Sequence, residues 1–243
     1  MKIDFHSHIL PAMDDGCADI GQTKAVLADS QRQGVAKMVA TPHFYPTQED
    51  PASFLHRREN AVDRLRTAAK EAGFCSPKLY VGAEVAYYQG IGRSDEMAKL
   101  CLYGTRTILV EMPFEKWPDR VIADLCDVQN KKRLTVVVAH INRYLQMQPR
   151  GIAEALKDLG FFLQWNAEAF TSFKTRHAAL KALKHGLVDV LGSDAHDPQR
   201  RPQELGACVE IIKKHEGPDA LLYISRQTES LMDGAGLLYE HDE

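Results

Sequence analysis

Histidine and carboxylate residues recur along this chain in a pattern that suits metal chemistry. The first pair, His6 and His8, lies in the segment DFHSH, and a spacing of two puts both imidazoles on the same face of an extended strand. The turn residues Asp14, Asp15 and Gly16 follow. A His-x-His pair alone is more often structural than functional, so its interpretation depends on what the rest of the chain supplies.

The same residue types follow most of the later apolar segments. His43 comes after VATP, Glu84 ends LYVGAE, Glu111 lies in TILVEMPF, His140 ends TVVVAH, and Asp194 and His196 end VDVLGSDAH. A carboxylate such as Glu111, between Val110 and Met112, is costly to bury without a cation or a strong hydrogen-bond donor. Because six of seven predicted strands end in His, Asp or Glu, we interpret these residues together as one metal site.

The candidate ligand set is too large for one ion of about four to six ligands. It consists of His6, His8, Asp15, His43, Glu84, Glu111, His140, Asp194 and His196. We therefore expect two or three divalent ions. Imidazole and carboxylate ligands without thiolate suit Mn²⁺, Fe²⁺ or Zn²⁺, and geometry rather than sequence chooses among them.

Clustered divalent ions with open positions acidify a bound water and neutralise a phosphoryl dianion, which indicates phosphate-ester hydrolysis. Arg143 follows His140 by three residues and Arg201 follows His196 by five. Since guanidinium groups form bidentate contacts with phosphate, we expect both arginines to hold its non-bridging oxygens. A phenol with a pKa of ~10 leaves without a dedicated general acid, which is compatible with phosphotyrosine as the substrate.

Seven short β-rich segments must position these residues. They begin at residues 2, 36, 79, 107, 135, 161 and 188 and alternate with segments of helical apolar spacing, which predicts parallel β/α units. No linker divides residues 1–243, so we predict an α/β fold of one domain, a distorted barrel, with an open doubly wound sheet as the alternative. In a barrel the carboxyl ends of the strands share one rim, where barrel enzymes place their active sites.

Composition excludes several other classes. A net charge of -3 without a recognition motif argues against nucleic-acid binding. Charged residues interrupt the first apolar run, and no run approaches the ~20 apolar residues of a membrane span, so we expect a cytoplasmic protein without membrane insertion. The five cysteines lack a Cys-x-x-Cys pair and are predicted to be reduced packing residues. Cys126 and Arg133 are one residue too far apart for the Cys-x5-Arg loop of thiol phosphatases.

Six motifs, in chain order, resemble those of the PHP (polymerase and histidinol phosphatase) superfamily. They are DFHSHILPAMDDG, TPHF, GAE, LVEMPF, VVAHINRY and GSDAH. Within that superfamily they look like the bacterial capsule-biosynthesis tyrosine phosphatases of the CpsB/CapC/YwqE type. This resemblance implies a single-domain distorted (β/α)7 TIM-like barrel with a three-metal cluster, often manganese. It also implies hydrolysis of phosphotyrosine on proteins, including the bacterial tyrosine kinase that controls capsule or exopolysaccharide assembly.

The resemblance further implies how the ligands are distributed. His6, His8, Glu84 and Asp194 would hold one ion, Glu84, Glu111 and His140 a second, and Asp15, His43 and His196 the third. Asp15 rather than Asp14 matches the family ligand, and Arg143 and Arg201 match its phosphate-contacting arginines. The segments YYQGIGRSDEM after Glu84 and WPDR after Glu111 depart from the family pattern, which affects substrate contacts more than metal contacts.

Three alternatives stay open at this point. One is a PHP phosphatase acting on a small phosphate ester such as histidinol phosphate, and another is an amidohydrolase-like metal hydrolase. A third is a metal-stabilised interaction module without turnover. Self-association is also open, because the basic segment HRRENAVDRLR suits either an interface or a solvated helix face.

Overall fold

Nine short strands, seven α-helices and three 3₁₀ helices make up the secondary structure of this computed structural model, which describes residues 1–72 and 77–238. The 3₁₀ helices are Ile91–Arg93, Asp95–Leu100 and Ile141–Arg143. The strands are β1 Lys2–Ser7, β2 Val35–Ala40, β3 His43–Phe44, β4 Lys78–Val81, β5 Glu84–Ala86, β6 Thr107–Glu111, β7 Thr135–Val138, β8 Phe162–Asn166 and β9 Val190–Gly192. The helices are α1 Ile20–Arg32, α2 Pro51–Ala72, α3 Asp119–Lys132, α4 Ile152–Asp158, α5 Glu168–Thr171, α6 Arg176–Lys184 and α7 Leu205–Leu231. Of the five cysteines, Cys75 lies outside the described residues.

The strands pair in parallel and follow chain order around a curled sheet. One set runs β1-β2-β4 and the other runs β3-β5-β6-β7-β8-β9. Ser7 of β1 also forms a parallel bridge with Ala195, three residues after β9, so the last strand returns to the first. The predicted α/β class and parallel pairing are confirmed, and the sheet curls instead of lying open.

The strand count differs from the predicted seven, because two predicted strands are each split in two. The second becomes β2 and β3, and the third becomes β4 and β5. Pro42 lies at the first break and has no N–H to donate to the ladder. Gly82 lies at the second break, and glycine within a strand pattern commonly marks such an interruption. Both breaks redirect the chain just before His43 and Glu84.

Apolar strand residues form the base on which the polar strand ends lie. A hydrophobic cluster made largely of strand residues includes Phe5, Val39, Leu109, Val137 and Val190. A larger cluster joins the sheet to the helices. Each of the five residues precedes a candidate ligand in the chain by four residues or fewer, so the buried segments support the residues that carry the chemistry.

Local sequence explains where helices begin and bend. Asp19 caps α1 by accepting a hydrogen bond from the Gln22 backbone N–H at 2.9 Å. The long α7 is two helical pieces joined at Gly217, whose φ of 80° breaks the helix before Pro218. Among residues 1–72 and 77–238, no helix has the length and apolar character needed to cross a bilayer.

Candidate metal centre

All nine candidate ligands meet at one rim of the sheet. Each has a nitrogen or carboxylate oxygen within 4.0 Å of another member of the set. Seven of them are buried, Glu111 is half-buried, and Asp15 is exposed. Because these residues are separated by up to 190 positions in the chain, their convergence is a product of the fold.

Glu84 lies at the middle of this group. Its Oε2 atom lies 3.3 Å from Nε2 of both His6 and His8 and 3.0 Å from Nδ1 of His43. Its Oε1 atom lies 2.7 Å from Nε2 of His140. Burial opposes ionisation of Glu84, but the adjacent His6 and His140 outweigh it and hold the pKa of the carboxyl well below its usual value.

Three groups of donor atoms are compact enough to bind an ion, each with its atoms within 4.8 Å of one another. They are His8, Asp15, His43 and His196; His6, His8 and Asp194; and His43, Glu84 and Glu111. His140 belongs to none of the three, but its Nε2 lies 3.7 Å from Glu111 Oε1 and approaches Glu84 more closely. The distribution implied by the family motifs differs in three ways. It places Glu84 also with His6, His8 and Asp194, it places His140 rather than His43 with Glu84 and Glu111, and it leaves His8 out of the group with Asp15.

The buried polar atoms of this group fit cations. Among the described residues, His43 Nδ1 and both Glu84 carboxylate oxygens are buried without a hydrogen-bond partner, because the close approaches between Glu84 and the imidazoles lack hydrogen-bond geometry. Burial and the negative charge of Glu84 raise the pKa of Glu111 to about 7. Burial lowers the pKa of His43 to about 4, which keeps its imidazole neutral and able to ligate. Divalent cations would compensate the unpaired oxygens and the opposed carboxylates.

Asp14 orients two of the histidines. Its Oδ2 accepts hydrogen bonds from His8 Nδ1 and from the His43 backbone N–H, both at 2.8 Å. Its Oδ1 accepts from the Gly16 N–H, and a Cβ on Gly16 would lie 2.2 Å from the His8 carbonyl oxygen, so only glycine allows this turn to lie against His8. With Nδ1 occupied, His8 directs Nε2 at the ligand group.

Gln164 does the same for His6, and Asn166 for Asp194. Gln164 Oε1 lies 3.1 Å from His6 Nδ1, and Gln164 Nε2 donates to Asn166 Oδ1 at 2.9 Å. Asn166 Nδ2 in turn donates to Asp194 Oδ2 at 2.8 Å. Both amides belong to β8, so one strand face supports two candidate ligands.

Tyr144 orients His140 by the same principle. Its hydroxyl oxygen lies 3.0 Å from His140 Nδ1 and accepts a hydrogen bond from the Met112 backbone N–H at 3.1 Å. His196 instead donates from Nδ1 to the Asp194 backbone carbonyl at 2.9 Å, so Nε2 is its candidate ligand atom, and that nitrogen now contacts Arg201.

Two candidate ligands have strained backbones. His140 and Asp194 have φ of 71° and 55°, a region that non-glycine residues rarely adopt. Asp4 helps to hold the second of these turns, because its carboxylate accepts from the Ser193 N–H at 2.8 Å, from the Ser193 hydroxyl at 2.6 Å and from Gln203 Nε2 at 2.7 Å. This network ties β1 to the loop that carries Asp194.

The sequence reasoning missed these orienting residues, although some left a signal. Gln164 and Asn166 interrupt the apolar strand FFLQWN with a period of two, and Asp4 precedes His6 by two in KIDF. Polar residues that repeat on one face of a buried strand need hydrogen-bond partners. This repeat is a signal of an orienting role, and it lies within the strand instead of at its end. The sequence offers Asp14 only as an alternative ligand to Asp15, whereas in the structure Asp14 bonds to His8 Nδ1, on the side of the ring away from the ligand group.

Both predicted arginines border the ligand group. Arg143 Nη2 lies 2.6 Å from Asp194 Oδ2, Arg201 contacts the same oxygen, and Arg201 Nη1 lies 2.7 Å from His196 Nε2. Arg143, Arg201 and Asp194 line a cavity of about 270 Å³ together with Arg200, which the sequence reasoning did not propose. The two guanidinium groups are 28% and 35% exposed at their side chains, so they remain accessible to an anion.

Two aromatic side chains stand beside the histidines. Tyr45 stacks on His43 with ring centroids 4.9 Å apart. Phe114 lies 6.3 Å from the His140 ring and 5.0 Å from the Tyr144 ring, yet it is 55% exposed. An exposed phenyl beside a polar centre offers a surface for a second aromatic ring.

Two relatives of this chain are named tyrosine-protein phosphatases. It is 29% identical over 250 residues to the tyrosine-protein phosphatase CpsB of Streptococcus pneumoniae, covering 95% of this chain and 98% of the relative. It is 27% identical over 242 residues to the tyrosine-protein phosphatase YwqE of Bacillus subtilis, covering 95% of this chain and 91% of the relative.

Solved structures show the same fold. The match to the crystal structures of YwqE and CpsB, which are described as metal-dependent tyrosine phosphatases, has a TM-score of 0.84 at 24% identity and covers 96% of this chain and 95% of the other. A prolidase structure matches with a TM-score of 0.53 at 12% identity, covering 99% of this chain and 76% of the other.

The model of one protein family matches residues 2–231, which is nearly the full length of the chain. This family is described as capsular polysaccharide synthesis, CpsB/CapC. The motif resemblance is thereby confirmed, and the chain belongs to the CpsB/CapC family of capsular polysaccharide synthesis proteins.

Proposed function

We propose that this protein is a metal-dependent phosphatase that hydrolyses phosphotyrosine on proteins. The observation that carries the proposal is the convergence of imidazoles and carboxylates at one rim, with two accessible arginines directly beside them. The names of the relatives, both tyrosine-protein phosphatases, support the same reading. Metal dependence is supported by the unpaired buried oxygens of Glu84 and by the description of the YwqE and CpsB structures.

The nine candidate ligands would hold two or three divalent ions. They are His6, His8, Asp15, His43, Glu84, Glu111, His140, Asp194 and His196. When bound, such ions lower the pKa of coordinated water and neutralise charge on the phosphoryl oxygens. Asp14, Gln164 and Tyr144 keep the ligand nitrogens of three histidines directed inward, which removes the cost of reorienting them. We assign Mn²⁺ as the preferred ion, with Fe²⁺ and Zn²⁺ as the alternatives.

Arg143 and Arg201 would bind the phosphate. Both now contact Asp194, and a phosphate oxygen offers each guanidinium a more highly charged acceptor. The substrate ring would lie along the exposed face of Phe114, near His140. The tyrosine leaving group departs as a phenolate, whose conjugate acid has a pKa of ~10, so its expulsion needs no separate general acid.

The physiological setting is part of the proposal. Family membership in capsular polysaccharide synthesis supports a role in that process, with a tyrosine-phosphorylated bacterial kinase as the protein substrate. We further propose that residues 1–243 form one domain of the distorted (β/α)7 type, supported by strand pairing in chain order and by the Ser7–Ala195 bridge. A cytoplasmic location is supported by the free thiols of Cys17, Cys101, Cys126 and Cys208.

The decisive experiment compares substrates and metals directly. Metal-stripped protein is reconstituted with Mn²⁺, Fe²⁺ or Zn²⁺ and assayed on a phosphotyrosine peptide, a phosphoserine peptide and histidinol phosphate, with an amide and lactone panel alongside. We expect turnover of the phosphotyrosine peptide, a loss of at least about 100-fold for His6→Ala and Arg143→Ala, and no loss for the exposed loop variant Arg150→Ala. Preferential turnover of histidinol phosphate, or of amides and lactones only, refutes the assignment.

A further inference from the structure

A second positively charged pocket lies beside the metal centre. A cavity of about 500 Å³ is lined by Gln89, Gly90, Arg93, Arg120 and Asp124. Its lining comes from the loop after β5 and from the first turns of α3. These are the two segments, YYQGIGRSDEM and WPDR, that depart from the family motif pattern. The motifs that build the metal centre therefore leave this pocket without a role.

The pocket carries a net positive charge, because two guanidinium groups face one carboxylate. Arg93 and Arg120 are exposed, and within residues 1–72 and 77–238 neither guanidinium has a hydrogen-bond or ion-pair partner. Asp124 pairs with neither of them, since its Oδ2 accepts hydrogen bonds from the Tyr87 hydroxyl at 2.8 Å and the Gly90 N–H at 3.0 Å.

Other basic residues close by are paired. Lys131 lies 2.7 Å from Asp127, and Lys132 lies 2.6 Å from Asp95. These two lysines are thus engaged with carboxylates, whereas the Arg93 and Arg120 guanidinium groups are available to a ligand.

The pocket is preformed. A Cβ on Gly92 would lie 2.5 Å from the Asp127 Cβ and 2.9 Å from the Val128 backbone nitrogen, so the loop lies directly against α3 at this point. Gly90 adopts a φ of 81°, and its N–H bond to Asp124 fixes the loop one turn earlier. Because the backbone beneath Arg93 is held, little ordering of the loop is needed when an anion binds.

One residue joins the pocket to the metal centre. The Tyr87 N–H donates to the carbonyl oxygen of Glu111 at 2.8 Å, and its hydroxyl bonds Asp124 in the pocket. Ala86, just before Tyr87, is the register partner of Glu111. A peptide whose phosphotyrosine is held at the metal centre can thus extend toward the arginines within a few residues.

We propose that the Arg93–Arg120 pocket binds an anionic side chain of the protein substrate, a carboxylate or a second phosphate, located a few residues from the phosphotyrosine that is hydrolysed. This deepens the phosphatase proposed above and rests on it. Two guanidinium groups that form no ion pair and outnumber the single carboxylate favour anions, and the overall charge of -3 makes the pocket a local attraction on an otherwise acidic protein. The pocket would set which phosphotyrosines of a protein are preferred, not the chemistry.

The test uses paired phosphotyrosine peptides that differ only in having glutamates or glutamines around the phosphotyrosine. A third peptide carries a non-hydrolysable phosphonate in place of the flanking glutamates, which separates carboxylate from phosphate as the preferred anion. We expect Arg93→Gln and Arg120→Gln each to lower kcat/KM for the glutamate peptide about three- to fivefold, mainly through KM. The double variant should lose the preference for acidic peptides, while hydrolysis of a small aryl phosphate stays unchanged.

The matched control is Arg226→Gln, which removes an exposed arginine from α7 at equal cost in net charge. The proposed anion site is refuted if Arg226→Gln lowers kcat/KM for the glutamate peptide as much as the pocket variants do. It is also refuted if the pocket variants lose equal activity on both peptides, or if the unaltered protein does not prefer the glutamate peptide. Fluorescence anisotropy with the unphosphorylated glutamate peptide reports the pocket without turnover. If no aryl phosphate is hydrolysed with any metal but this binding still depends on Arg93 and Arg120, the phosphatase proposal fails and the anion site stands.

Discussion

Asp14 Oδ2 lies 2.8 Å from His8 Nδ1, on the side of the imidazole that faces away from the ligand group. Although burial opposes ionisation of Asp14, the His8 ring and two backbone N–H donors hold its pKa well below the usual value. The carboxylate therefore carries negative charge at neutral pH and fixes the His8 tautomer. Asp14 belongs to the metal centre without being one of its candidate ligands.

Replacing Asp14 with Asn should weaken metal binding by about 10- to 100-fold, because the amide cannot both orient His8 and carry the compensating charge. Isothermal titration calorimetry with Mn²⁺ on the stripped protein measures this directly. Asp50→Asn, which alters an exposed carboxylate that caps α2, is the control and should bind metal as the unaltered protein does. If Asp14→Asn binds Mn²⁺ with unchanged affinity, Asp14 does not orient His8 for metal binding.

Tyr144→Phe should lower both stability and metal affinity. The variant leaves the buried Met112 N–H without its acceptor, which costs about 1–3 kcal/mol, and frees the His140 ring to rotate. Urea denaturation of the metal-free protein measures the first effect, and metal titration measures the second. Tyr103→Phe, at an exposed tyrosine, should change neither quantity. A Tyr144→Phe variant equal to the unaltered protein in both assays contradicts the assignment.

Phe114→Ala should reduce selectivity for aryl phosphates. Removing the exposed ring beside His140 takes away its contact with the substrate ring, so KM for a phosphotyrosine peptide should rise about three- to tenfold. The inhibition constant of inorganic phosphate, which carries no ring, should stay unchanged. Phe173→Ala, at a phenylalanine that is 90% exposed, provides the control. A matching loss of phosphate affinity would instead indicate damage to the centre.

Removal of divalent ions should destabilise the protein. The Glu84 and Glu111 carboxylates repel each other in a region largely shielded from solvent. Ions that bind only the folded state stabilise it by about 2.7 kcal/mol when the free ion concentration is 100 times the dissociation constant. Thermal melts with chelator and with added Mn²⁺ should differ by several degrees. In Glu111→Gln the metal-free protein should melt higher than the unaltered metal-free protein, because the like-charge opposition is gone. A melting temperature insensitive to chelator would argue against bound ions.

Gly92→Ala should destabilise the fold by about 1–3 kcal/mol, since its Cβ would meet the Asp127 Cβ at 2.5 Å and α3 backbone at 2.9 Å. Gly82→Ala is a matched control, because there the nearest atom is 3.4 Å away. Chemical denaturation compares the two variants. Equal stability would show that the loop before Arg93 is not held against α3.

The residues most predictable from the sequence were those at strand ends. Glu111 stands out because a carboxylate between Val110 and Met112 is costly to bury. The His6–His8 pair stands out because a spacing of two puts both imidazoles on one face of a strand. The strand count was less predictable, because Pro42 and Gly82 interrupt pairing at points where the apolar pattern continues. The contact between Gln164 and His6 was not predictable, because the two residues are 158 positions apart in the chain.

By itself the sequence determined the ligand types, the alternation of strands with helices and the family. Those features depend on residue identity and short-range periodicity, which a linear chain carries in full. Only the tertiary structure decided that Glu84 lies among four imidazoles, that Asp14 lies behind His8, and that two unpaired arginines meet beside the centre. These relations join atoms distant in the chain, so they arise only when the curled sheet brings its strand ends to one rim.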